Sequence, residues 1–141
     1  MRKIIILIFI AIPIFAQATN IDTLILDGNK YWKAGKMKQA EQSYLQALKL
    51  NEKSLAINLK LGALYLNQHR LKESISYFQR ALSLDTNNAK LFTILGIAYW
   101  HNGAYSLAQA TFQQALKIDA NQQEAKKLLE RINKKLNHHS K

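Results

Sequence analysis

The chain has 141 residues, of which 48% are hydrophobic, and it carries a formal charge of +11. This composition is enough for one modest domain with its own core and argues against a disordered tail. Because the sequence contains no cysteine, it excludes a disulfide framework, a thiolate zinc site, a cysteine nucleophile and a lipidated cysteine.

The N-terminus has the layout of a secretory signal. Arg2 and Lys3 precede an apolar run over residues 4–15, and residues 16–18 read Ala-Gln-Ala, the small-x-small pattern of a cleavage site. A spanning helix needs about 20 apolar residues. This run is shorter and contains Pro13, so the sequence favours cleavage after Ala18 over an uncleaved inner-membrane anchor.

The mature chain, residues 19–141, is then expected in the periplasm of a Gram-negative-like envelope or outside the cell. Loss of Arg2 and Lys3 lowers its formal charge from +11 to +9. A basic surface attracts nucleic acid, anionic lipid or acidic proteins. The basic residues are scattered, however, and no nucleic-acid-binding module accompanies them. We therefore expect no nucleic-acid partner.

From residue 21 onward the sequence repeats itself every 34 residues. Each copy contains two stretches with apolar residues at helical spacing, and neither alternates like a strand. Asn and Asp residues that cap helices and tolerate turns stand between the copies. The pattern predicts helical pairs at about 21–54, 55–88 and 89–122. The aligned positions are Gly28/Gly62/Gly96, Tyr31/Tyr65/Tyr99, Ala40/Ser74/Ala108, Tyr44/Phe78/Phe112 and Ala47/Ala81/Ala115.

The repeated glycine predicts close packing within each pair. A glycine inside a helix costs about 1 kcal/mol relative to alanine, so its recurrence asks for a packing reason. We expect the small residues Ala40, Ser74 and Ala108 to lie opposite the glycines. The aromatic residues of the second helices would then fill the space left between the helices.

The pattern resembles the tetratricopeptide repeat, whose signature is W-x2-L-G-x2-Y, then A-x3-F and A, at a 34-residue period. The second copy carries Leu61-Gly62, Tyr65, Ser74, Phe78 and Ala81, and the third carries the equivalent residues from Leu95 to Ala115. The resemblance covers residues from about 21 to 122. It implies an all-α fold, an α-solenoid of three helix-turn-helix repeats.

Two departures from the family pattern stand out. The aromatic expected near the start of each repeat is Leu24, Asn58 and Phe92 here. The proline usual at the end of a repeat is missing from all three copies, since the sole proline of the chain is Pro13.

The segment at about 123–137 is predicted to be a helix that caps the stack. A repeat stack needs such a cap to cover its apolar end. Basic residues lie outside its apolar stripe, so an amphipathic helix docked on an anionic membrane is the alternative. The stripe consists of Leu128, Leu129, Ile132 and Leu136.

The resemblance implies a non-enzymatic protein-interaction module that binds a protein or peptide segment in a concave groove. Trp32 and Trp100, the two tryptophans of the chain, share one repeat position. Each is either an anchor for a partner or a structural residue that packs on its neighbours. The family's groove positions correspond to Asp22, Ile25, Asn29, Trp32, Lys33, Ala56, Leu59, Ala63, Leu66, Asn67, Lys90, Thr93, Ile97, Trp100 and His101.

Some members of this family hold the terminal carboxylate of chaperone tails with a clamp of Lys, Asn and Arg side chains. We do not expect that specificity, because only Asn29 matches the clamp. The corresponding positions carry Ile25, Asn29, Leu59, Ala63, Thr93 and Ile97.

The sequence predicts no catalytic, cofactor or metal site. The four histidines are His69, His101, His138 and His139, and no carboxylate or serine stands at a spacing that would pair with them. Two hypotheses remain. One is an envelope adaptor that serves an assembly, secretion or pilus-biogenesis complex, and the other is a structural or self-associating unit.

Overall fold

The computed structural model describes residues 20–138, which form seven helices and no strand. The predicted all-α fold of three helical pairs and a final helix is confirmed. The predicted signal segment, residues 1–18, lies outside the described residues. The helices are α1 (Ile21–Lys33), α2 (Met37–Leu50), α3 (Leu55–Asn67), α4 (Leu71–Leu84), α5 (Ala89–His101), α6 (Tyr105–Ile118) and α7 (Gln123–His138).

The first helix of every repeat begins with a side-chain cap. Asn20, Ser54 and Asn88 precede α1, α3 and α5, and each side-chain oxygen accepts a hydrogen bond from a backbone N–H in the first turn. No side-chain cap precedes α2, α4 or α6. Within each repeat, the turn itself therefore has to direct the chain into the second helix.

The turn inside each repeat places one residue in the left-handed backbone region. The φ angles are 71° at Gly35, 61° at His69 and 75° at Gly103, and the three positions are 34 residues apart. The N–H of the following residue donates to the carbonyl of a tyrosine in the preceding helix at 2.8 to 2.9 Å. This bond closes the helix end as in a Schellman motif. His69 adopts a conformation that glycine accepts more readily.

An aromatic ring lies directly on a glycine in every repeat. A Cβ atom added to Gly62 would stand 2.6 Å from Cδ1 of Phe78, and the same arrangement joins Gly28 to Tyr44 and Gly96 to Phe112. The rings fill the space between the two helices as predicted, and the predicted small residue Ser74 also lies against Gly62, where its hydroxyl donates to the Gly62 carbonyl at 2.8 Å. The predicted small residues Ala40, Ser74 and Ala108 are fully buried.

The final helix covers the end of the stack as predicted. Ala125 and Ile132 are fully buried. The other apolar residues of the α7 stripe pack against the cluster that contains Ala108 and Phe112 of α6. The apolar face of α7 thus packs on α6, with Leu128, Leu129 and Leu136 partly buried. Across the part of the chain that the structure describes, no helix combines the length and the apolar character needed to cross a membrane.

A polar cluster joins the first repeat to the second. The Glu41 carboxylate accepts hydrogen bonds from the Tyr65 hydroxyl at 2.8 Å and from the Arg70 guanidinium at 3.0 Å. Burial and this contact with Glu41 raise the pKa of Tyr65. The Tyr65 hydroxyl therefore keeps its proton and remains a donor to Glu41 far above neutral pH.

We expect Gly62→Ala to destabilise the protein by about 1–3 kcal/mol, because the added methyl group overpacks the contact with Phe78. The free energy of unfolding in urea measures the effect. A Gly62→Ala/Phe78→Leu double variant should lose less than the sum of the two single changes. If the losses in unfolding free energy of the two single variants simply added up in the double variant, the contact between Gly62 and Phe78 would not set the spacing of α3 and α4.

We expect His69→Gly to stabilise the protein by about 0.5–1 kcal/mol, because glycine removes the left-handed backbone cost at this turn. Thermal unfolding followed by circular dichroism measures the change. Gly35→Ala and Gly103→Ala are the matched controls and should destabilise. A loss of stability in His69→Gly would contradict this account of the turn.

Candidate partner-binding groove

An open apolar groove runs across the first helices of the three repeats. Its cavity has a volume of about 560 Å³, and we call it the central groove. Six of its eight lining residues are among the groove positions that the family resemblance implied. The lining consists of Trp32, Leu59, Ala63, Leu66, Asn67, Phe78, Ile94 and Ile97.

The floor of the central groove is the outer side of the protein core. Leu59, Ala63, Leu66 and Ile94 are partly buried and pack against the core cluster of Phe78, Leu95 and Ala98. The core therefore fixes these side chains while one side of each remains open to solvent. A rigid apolar surface of this kind suits the apolar side chains of a partner.

Trp32 forms one end of the central groove. Its ring is partly buried and meets the Tyr44 ring edge-on, with 6.4 Å between the ring centroids. The same tryptophan also lines an adjoining cavity of about 410 Å³ with Asn29, Lys33 and Lys60, which we call the N-terminal pocket. Trp32 thus both packs on the core and faces two open cavities.

Asn29 accepts two hydrogen bonds at the wall of the N-terminal pocket. Its Oδ1 accepts hydrogen bonds from the Tyr44 hydroxyl at 2.7 Å and from the Lys60 ammonium at 2.8 Å. Burial raises the pKa of Tyr44, so its hydroxyl stays a donor. Asn29 therefore holds the Lys60 charge at the end of the groove.

Trp100 occupies the same repeat position as Trp32 but has different surroundings. It lines a cavity of about 200 Å³, the C-terminal pocket, together with Ile97, His101 and two residues of α7, Leu128 and Arg131. The Arg131 guanidinium lies 5.4 Å from the centroid of the Trp100 ring. The capping helix thus covers part of Trp100, whereas Trp32 lines two cavities.

Other predicted groove residues lie away from these three cavities. Ile25 packs against the N-terminal core cluster, while Asp22, Ala56 and Lys90 are exposed. Thr93 requires a correction because it is buried, with 2% of its surface exposed.

The Thr93 hydroxyl is engaged inside the protein. Its oxygen lies 3.0 Å from the Ala89 carbonyl and also contacts the Gln122 side chain. Thr93 therefore links α5 to the turn before α7, and its hydroxyl does not face the groove.

Several residues that line these cavities were not predicted from the sequence. Lys60 and Ile94 share one repeat position, directly after Leu59 and Thr93, so the 34-residue frame could have revealed them. Leu128 and Arg131 belong to the capping helix, beyond the three predicted repeats, so their places depended on how α7 packs.

The geometry of the described residues provides surfaces for contact. Residues 20–138 contain no group of three His, Cys, Asp or Glu side chains that could hold a metal ion. The His69 and His101 rings approach each other, with 6.4 Å between their centroids, and both residues are exposed. The arrangement therefore supports recognition of another molecule through apolar surface and a few charges.

Comparisons with known proteins agree with the fold. Two family models described as "Tetratricopeptide repeat" match residues 28–54 and 53–121, which together make up more than half of the chain. No curated protein matches the chain with significant similarity.

Solved structures of the same architecture are similar at low sequence identity. The first TPR of Spaghetti (RPAP3), bound to an HSP90 peptide, is 22% identical with a TM-score of 0.75, and the match covers 82% of this chain and 92% of that one. The Sgt2 TPR domain from Aspergillus fumigatus is 20% identical with a TM-score of 0.75, covering 85% and 81%. MamA from Desulfovibrio magneticus is 18% identical with a TM-score of 0.79, covering 88% and 70%.

At these identities the solved structures establish the fold alone, whereas the family models identify the repeats themselves. Glycine–aromatic contacts recur at the 34-residue spacing throughout the matched region. The chain therefore belongs to the tetratricopeptide repeat family.

Proposed function

We propose that this protein is a non-enzymatic adaptor of the bacterial cell envelope that holds a segment of another protein in the central groove. The observation that carries the proposal is the groove itself, where apolar side chains fixed by the core stay open across all three repeats. Such a groove binds an extended or helical peptide through a few apolar anchors.

Charge at the two ends of the groove indicates the chemistry of the partner. Lys33 and Lys60 line the N-terminal pocket, and Arg131 lines the C-terminal pocket. A segment with apolar residues in its centre and acidic residues toward both ends would complement this pattern. The proposed partner is therefore an amphipathic segment with acidic flanks.

This chemistry differs from that of an acidic chaperone tail. The HSP90 peptide in the RPAP3 structure has the sequence SRMEEVD, which ends in three acidic residues and one valine. Here the groove positions Leu59, Ala63 and Ile97 are apolar and offer no charge to a terminal carboxylate. The proposed ligand is thus recognised mainly by its apolar side chains.

The envelope setting is supported by the N-terminal sequence. Basic residues, an apolar run and an Ala-Gln-Ala site follow one another over residues 2–18. An adaptor located there would serve an assembly, secretion or pilus-biogenesis complex of the envelope.

We expect Trp32→Ala to weaken partner binding about 30-fold, equivalent to about 2 kcal/mol, because the open ring is the largest apolar anchor in the groove. A photoreactive residue introduced at position 66 would first capture and identify the partner in intact cells. Titration of the identified segment against the purified protein then measures the dissociation constant.

Leu107 provides the matched control for this experiment, because it is 54% exposed and does not line the groove. Leu107→Ala should bind the partner as tightly as the unchanged protein. Light scattering after size-exclusion chromatography tests the self-associating alternative. A stable dimer that dissociates on Trp32→Ala would overturn the adaptor proposal.

We expect the exported protein to begin at Thr19, because the small residues at positions 16 and 18 fit a signal-peptidase site. Mass spectrometry of the protein released from cells by osmotic shock measures the N-terminus. An intact N-terminus in the membrane fraction would instead support the inner-membrane anchor.

A further inference from the structure

The capping helix α7 continues the 34-residue frame of the repeats. The first helices α1, α3 and α5 begin at residues 21, 55 and 89, and α7 begins at residue 123. Its fully buried residues Ala125 and Ile132 occupy the repeat positions of two residues of α3. Those two residues, Ile57 and Leu64, are fully buried as well. The helix therefore packs as the first helix of a fourth repeat.

A hydrogen bond at equivalent positions fixes the rotation of α7. Asn133 Oδ1 accepts a hydrogen bond from Gln109 Nε2 of α6 at 2.7 Å. One repeat junction earlier in the stack, the Tyr65 hydroxyl of α3 donates to Glu41 of α2 at 2.8 Å. The two bonds join residues that are 68 positions apart, which is twice the repeat length. Because the register is the same, α7 turns the same side toward the groove as α3 does.

Three cations lie on the groove side of α7. Arg131 and Lys134 occupy the repeat positions of Ile97 and Trp100, which line the C-terminal pocket. Lys127 precedes Arg131 by four residues, so it lies beside Arg131 on the same face of the helix. All three side chains are exposed. We call Lys127, Arg131 and Lys134 the basic strip.

Arg131 connects the basic strip to the central groove. It lines the C-terminal pocket together with Ile97, and Ile97 also lines the central groove. The Trp100 ring lies 5.4 Å from the Arg131 guanidinium and helps to hold it there. A chain that leaves the central groove past Ile97 therefore reaches Arg131 directly.

The acidic residues of α7 leave the basic strip with a net positive charge. They are Glu124 and Glu130. Glu130 has the repeat position of the glycines, which faces the second helix of a repeat, so it lies on another side of α7. Glu124 precedes Lys127 by three residues and lies at the end of the strip. Three cations thus stand against one carboxylate.

We propose that the basic strip binds an acidic stretch of the partner protein, directly next to the apolar segment that the central groove holds. This inference rests on the function proposed above and specifies which flank of the partner carries a run of charge. The helix rises about 10 Å from Lys127 to Lys134, a length that about three residues of an extended chain cover. A short run of Asp or Glu residues is therefore enough to pair with the strip.

The continuity with the groove favours a protein segment over a membrane surface. Part of the strip, Arg131, lines a pocket of the concave face, where a chain already seated on Ile97 can reach it. A flat anionic bilayer would be attracted by any exposed lysine of α7. Lys126, which is exposed outside the strip, would then contribute as much as Lys127.

The peptide acetyl-Asp-Glu-Asp-Glu-amide, titrated into the ¹⁵N-labelled protein, tests the strip by nuclear magnetic resonance. We expect saturable shifts of the backbone amides of Lys127, Arg131 and Lys134 and of the Trp100 indole N–H. The neutral peptide acetyl-Asn-Gln-Asn-Gln-amide should cause no saturable shift, because it offers no charge to the strip.

A double variant, Lys127→Gln/Lys134→Gln, should weaken binding of the acidic peptide about fivefold, since it removes two of the three cations. The matched control is Lys117→Gln/Lys126→Gln, which removes the same charge from exposed positions outside the strip and should bind nearly as tightly as the unchanged protein. All four lysines are exposed, so both variants should fold, and circular dichroism checks this.

Equal losses in the two double variants, or equal binding of the neutral peptide, would overturn the proposal. Phosphatidylglycerol vesicles that bind the protein while the acidic peptide does not would overturn it in favour of a membrane contact. Trp32→Ala should bind the acidic peptide normally, because this peptide does not use the central groove. A failure of the groove proposal therefore remains distinguishable from a failure of the strip.

The partner segment captured from position 66 tests the link between strip and groove. Replacing its acidic residues with Asn and Gln should weaken binding to the unchanged protein about fivefold. The same replacement should have little effect on binding to Lys127→Gln/Lys134→Gln. Equal weakening in both proteins would show that the acidic residues contact another surface.

Discussion

The contact between a glycine and an aromatic ring is the constraint on which the rest of the structure depends. At Gly62 a side chain as small as a methyl group would meet the Phe78 ring at 2.6 Å, so the two helices of the repeat approach as closely as the ring allows. The same contact recurs in the first and third repeats. Because all three pairs are held in the same way, their first helices line up and present one continuous surface.

The function proposed for that surface depends on apolar side chains that pack on the core and remain partly exposed to solvent. Leu59, Leu66 and Ile94 are held by the packing that stabilises the protein, yet each keeps a solvent-facing side. Their rigidity lowers the entropy cost of binding, since few side chains must be ordered when a partner arrives. The charges at the groove ends are also held, with Lys60 bound to Asn29 and Arg131 placed over Trp100.

Departures from the repeat give the protein its individual chemistry. Asn58 breaks the series of large apolar residues formed by Leu24 and Phe92, and its side-chain oxygen is buried without a hydrogen-bond partner. Lys60 and Ile94 share one repeat position but bring charge to one part of the groove and apolar surface to another. A stack of identical repeats would offer neither feature.

The sequence by itself determined the architecture, because helical periodicity and the 34-residue frame are local and repeated. The resemblance to the repeat family also named most residues that line the central groove, among them Leu59, Leu66 and Ile97. Tertiary structure alone decided which positions remain accessible. Thr93 is buried because it contacts Gln122 of a later segment, and Trp100 is partly covered because α7 places Arg131 over it. These contacts join residues about 30 positions apart in the sequence, so no local pattern could specify them.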